Sequence, residues 1–157
     1  AALGDAYQRL IAELHAFPPN VAEIERLLIE ETSPNRTFFP RRAAFRTLLA
    51  GGQLEDVTDP ALRLQLAELY EHDYVRADRN AELFDTAFQD VYKASQLRYW
   101  DFAAHRPIHP DDAEAPIPLS NAAGRLGRWS AYYLALMEEE LRAVREMQAA
   151  VRRHLAA

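Results

Sequence analysis

Apolar residues return along this chain in alternating steps of three and four, the rhythm of helices that pack along a seam. The first seam runs through Leu3, Tyr7, Leu10, Leu14, Phe17, Val21, Ile24 and Leu28. It passes Pro18-Pro19 without losing phase, which predicts one kinked helix over about 3–32. Asn20-Val21-Ala22-Glu23 offers a competing reading, a capping box from which a new helix would start. Residues 33–40, with Ser-Pro-Asn-Arg followed by Phe-Phe-Pro, predict a turn. A short helix is expected at about 41–50, with Ala44, Phe45, Leu48 and Leu49 apolar. Gly51-Gly52 should end it, because glycine takes a positive φ without steric cost.

Asp59-Pro60 supplies an N-cap followed by proline at the first helical position. A long helix is therefore expected over about 60–102, with Leu62, Leu66, Tyr70, Tyr74, Ala77, Ala81, Phe84, Phe88 and Val91 as its seam. Pro107, Pro110, Pro116 and Pro118 predict a loop over 103–119. Ser120 or Asn121 should cap a last helix over about 121–155. Its seam is read as Leu126, Ser130, Tyr133, Met137, Leu141, Val144, Gln148, Val151 and Leu155. The fold class this predicts is all-α: an elongated antiparallel bundle of three long helices and one short one, in a single domain 1–157.

Composition supports that class. Ala and Leu supply 48 of 157 residues and far outnumber the β-branched types that suit strands. A net charge of −6 argues against a nucleic-acid partner. The absence of cysteine removes disulfides, thiolate metal sites and thiol nucleophiles. Seventeen of the eighteen basic residues are Arg, with Lys93 alone, a bias expected of a GC-rich bacterial genome. No apolar run reaches the roughly 18 residues of a membrane span. The chain opens at Ala1 within what reads as a helix, so any upstream anchor would lie outside it.

Candidate chemistry is sparse. His105, His109, Asp111 and Asp112 are the densest set of ligand types, and two imidazoles with two carboxylates could hold Zn²⁺, Ni²⁺ or Cu²⁺. They sit on a proline-rich loop that presets no geometry, so the competing reading is a solvated polar loop. Glu71, His72, Asp73, Arg76, Asp78, Arg79 and Asn80 form a polar belt, read as a solvent face laced with i, i+3 and i, i+4 pairs or as a buried polar layer. Glu138-Glu139-Glu140 reads as helix surface. No Glu-x-x-His, nucleophile elbow or phosphate-binding glycine loop occurs, so no catalytic residue and no cofactor is expected. Gly124 and Gly127 are expected to make room for bulky rings opposite, and for Trp100 core packing at the bundle end is the preferred reading.

Residues 43–74 carry a further pattern: Phe45, Leu49, Gly52, Leu54, Val57, Asp59, Leu62, Arg63, Leu66 and Tyr70. This segment resembles an uncharacterised bacterial family with one N-terminal transmembrane helix followed by a helical region outside the cytoplasm. The resemblance implies a non-enzymatic extracytoplasmic sensor or interaction domain, on the periplasmic side of an inner membrane and anchored by an upstream helix. Two alternatives stand beside it: a small-molecule or metal-binding protein or enzyme with its site on loop 103–119, and an intracellular helical scaffold. The long seams also allow a homodimer or another protein partner. If the N-terminus leaves a membrane, loop 103–119 should lie at the N-terminal end of the bundle. Tyr99, Trp100, Phe102, Ile108 and Ile117 would then meet lipid headgroups.

Overall fold

The structure is a computed structural model and describes residues 2–33 and 37–156. The centre of the turn expected at 33–40, Pro34-Asn35-Arg36, lies outside the described residues. The chain is all-α apart from one two-stranded sheet among those residues. Helix α1 is Ala2–Leu14. Helix α2 spans 21–31, α-helical over Val21–Arg26 and then a π turn over Leu27–Glu31. Helix α3 is Ala43–Ala50. Helix α4 is one continuous helical run over 60–99, with π turns at Glu68–Asp73 and Ala87–Lys93. Strands β1 (Trp100–Asp101) and β2 (Arg106–Pro107) pair antiparallel, Trp100 opposite Pro107. Helix α5 is Ile117–Ala156.

The single helix expected over 3–32 is two helices. Consecutive prolines remove two backbone donors and their rings obstruct the preceding turn. Asn20 then starts α2 afresh, its side chain accepting a hydrogen bond from the Glu23 N–H at 3.2 Å. The chain doubles back, so that Arg9 on α1 reaches both Glu23, at 3.8 Å, and Glu31 on α2. Phe17 and Val21, read as seam residues, are exposed at this reversal.

Asp59 caps α4 as expected, accepting from Ala61 N–H at 2.9 Å and Leu62 N–H at 3.3 Å. Gly52 takes φ +70 just after α3. Helix α4 stops at Tyr99 rather than 102, where the chain extends into β1. Its π turn over Ala87–Lys93, bonded i→i+5, is wider than an α-helical turn, which moves the seam from Val91 to Tyr92. Helix α5 starts four residues before the expected 121. Ser120 lies inside it, donating its N–H to the Pro116 carbonyl. Pro118 is tolerated there because first-turn N–H groups have no helical acceptor.

The chain forms two compact units, Ala1–Thr37 with Glu82–Tyr133, and Phe38–Ala81 with Leu134–Ala157. The first buries Tyr7, Leu10, Ile24, Leu28, Phe88, Tyr92, Trp100 and Leu126. Within it Thr32 donates to the Leu27 carbonyl and meets the Tyr92 hydroxyl, which must donate in return. Gln96 caps the Leu28 carbonyl at 3.0 Å. These side chains serve backbone and hydroxyl groups at the π turn that ends α2, where burial excludes water. The second unit buries Leu62, Leu69, Tyr74 and Met147.

Two expectations about the first unit are corrected. Gly124 and Gly127 make room for α1, not for bulky rings at the end of α4. A Cβ on Gly127 would sit 3.3 Å from Tyr7 Cβ, and one on Gly124 would sit 3.6 Å from Ile11 Cδ1. The loop is also not at the N-terminal end of α1. Gly4 lies against Gly127 and Ser130, whereas His15, at the far end, bonds Ser120 at 2.9 Å. Helix α1 therefore runs antiparallel to the start of α5, and the loop meets its C-terminal end; Ala1 itself lies outside the described residues. Tyr99 and Trp100 are buried in the core, so neither ring is placed to meet lipid.

Candidate functional site

The loop residues singled out as metal ligands each make contacts of their own. Asp101 accepts from the N–H groups of Ala103 and Ala104, turning the chain between the strands. His105 follows with φ +54, and its Nδ1 contacts the Glu25 carboxylate on α2. His109 is exposed and its carbonyl accepts from the Asp112 N–H. The Asp112 carboxylate accepts from the Glu114 N–H at 2.9 Å, while Asp111 is exposed. Among the described residues, no group of three or more His, Asp or Glu side chains is arranged to hold a metal ion.

The polar belt has a different organisation from a solvent face of local pairs. Arg42, before α3, donates to Asp78 at 3.0 Å. Arg76 donates from Nη2 to Glu139 at 2.8 Å, and the same nitrogen lies 3.5 Å from Glu140 Oε1 without hydrogen-bond geometry. His72 and Asp73 pair at 3.1 Å in the π turn of α4. Such turns alter the phase of a helix and recur at functional sites.

Glu140 is the outlier. It is 3% exposed, and neither carboxylate oxygen has a hydrogen-bond partner. Arg76 Nε is likewise buried and unpartnered. Burial, then the nearby Asp73 charge, raises the Glu140 pKa above its ordinary value, against the opposing pull of Arg76. Burial and the charges of Tyr70 and Glu140 raise the Tyr74 hydroxyl as well. The expectation that Glu138-Glu139-Glu140 is all surface is therefore corrected at Glu140. Steps of seven from Tyr133 reach Glu140 and Met147, and this spacing could have found it. Leu141 was favoured because it is apolar, yet it is about half exposed.

The segment 43–74 builds a local scaffold in the second unit. Phe45 stacks on Tyr70 with ring centroids 4.5 Å apart, and Tyr70 meets Tyr74 edge-on at 5.1 Å. Leu49, Gly52, Leu54, Glu55 and Arg63 line an open surface depression beside α3.

Comparison with known proteins places this segment in context. A family of unknown function, DUF6090, matches residues 15–106, more than half of the chain, and the chain belongs to that family. The match contains the whole segment that suggested an uncharacterised family. No curated protein and no solved structure matches the chain. No described helix is long and apolar enough to cross a membrane.

Proposed function

We propose that this chain is a non-enzymatic helical sensor or interaction domain, held on the extracytoplasmic side of a bacterial inner membrane by a helix that precedes Ala1. The observation that carries this reading is the role of the 43–74 pattern. Phe45 stacks on Tyr70, Asp59 caps a helix, Leu62 is core and Gly52 makes a turn at φ +70. These are scaffold roles, and a scaffold pattern suits a domain whose task is to fold and present a surface.

Apolar surface supports the interaction part. Leu64, Leu97 and Leu155 are each about two-thirds exposed or more. A protein partner, including a second copy of this chain, could cover such residues. The test of the tether is the gene upstream of Ala1. About 20 consecutive apolar codons are expected there. An initiating Met directly before Ala1, or a polar upstream sequence, would overturn the anchored reading.

A further inference from the structure

We propose that Glu140 is a proton-responsive latch: protonated, it lets α5 close against residues 73–76 of α4, and ionised, it loosens that stretch. This deepens the sensor reading by naming the proton as a signal, and its test is independent of where the domain resides.

The argument starts from position. Glu140 occupies a buried step of the α5 seam, where an apolar residue would be expected, and is 3% exposed. The groups that face it are Asp73, Tyr74 and Arg76 from α4 and Glu139 on its own helix. Only Arg76 is cationic, and its hydrogen bond goes to Glu139, which is 61% exposed. An ionised Glu140 therefore sits in the seam with no hydrogen bond to either oxygen, balanced only by an ion pair of Oε1 with the Arg76 guanidinium at 3.5 Å. A buried charge without hydrogen bonds is costly, and protonation removes that charge.

The sign follows from linkage. A carboxyl that binds its proton more tightly when folded makes the fold more stable as pH falls through its folded pKa. Carbon-detected NMR titration of the ¹³C-glutamate-labelled, fully assigned domain reads Glu140 directly. Glu140 should hold its proton to a higher pH than the exposed glutamates, and Tm should rise as pH falls from 8 toward 5. Hydrogen exchange of residues 136–147, corrected for its intrinsic pH dependence, should slow over the same range. Glu140→Gln should abolish both changes, whereas Glu138→Gln, at an exposed position on the same helix, should keep them. The proposal is overturned if Glu140 titrates together with the exposed glutamates, or if Glu140→Gln retains the wild-type pH slope. Because the titration uses the wild-type chain, it decides even where the variant fails to fold.

Discussion

Arg76 lies 3.5 Å from the buried carboxylate of Glu140 and yet spends its hydrogen bond on another group, the exposed Glu139. The guanidinium is thus a cation beside Glu140 without being its hydrogen-bond partner. Arg76→Met should leave Glu140 ionised and uncompensated at pH 8, at a cost of about 2 kcal/mol. At pH 5 the cost should shrink, because Glu140 protonates more readily than an ordinary glutamate. Urea unfolding at both pH values checks this, and an equal loss at both would count against the pairing.

The start of α4 gives a second test. Asp59 accepts from two orphan N–H groups, and Asp59→Ala should cost about 1 kcal/mol while leaving the fold intact. A denaturant midpoint unchanged from wild type would mean that the cap contributes nothing to stability.

Gly124 and Gly127 should respond in opposite ways. A Cβ at Gly124 meets Ile11 at an ordinary contact distance, so Gly124→Ala should gain about 0.5–1 kcal/mol from helix propensity. At Gly127 the Tyr7 Cβ lies 3.3 Å from the added atom, and Gly127→Val should lose about 1–3 kcal/mol. Thermal unfolding of the two variants would reveal whether α1 packs on α5 as closely as described.

The acid limb of stability should depend on Arg26. Its hydrogen bonds, first among the causes, lower the pKa of both Glu23 and Glu31 below the ordinary 4.5. Folded pKa values below the unfolded ones give stability that is complete above about pH 4.5 and lost as pH falls through them. Stability should therefore decline in stronger acid, and Arg26→Met should flatten that decline. Melts from pH 5 to pH 3 measure it; an undiminished acid limb in Arg26→Met would assign the loss to other carboxylates.

Much of this fold was legible because it rests on local chemistry. Asp59 before Pro60, Gly52 after α3 and the three–four rhythm are signals carried by neighbouring residues. The reversal at Pro18-Pro19 was obscured because both arms of the hairpin turn apolar residues to one core, so the seam kept its phase across the break. The π turns were hidden for a related reason: an extra residue in a turn depends on packing, and it shows only as a late shift from Val91 to Tyr92. Glu140 was missed because hydrophobicity was weighed above spacing at one step of α5. The contact of His105 with Glu25 joins residues distant in sequence, and no local pattern encodes it.

The absence of cysteine allows the most direct test of where the domain resides. Gln53 lies in the exposed turn after α3, and Gln53→Cys can be placed in the full-length protein as a single reporter. The full-length protein without that substitution serves as the labelling background. With the outer membrane permeabilised and the inner membrane intact, a membrane-impermeant maleimide should label the variant, and the protein should stay with membranes after carbonate washing. Labelling only after the inner membrane is broken, with the protein in the soluble fraction, would contradict an anchored extracytoplasmic domain.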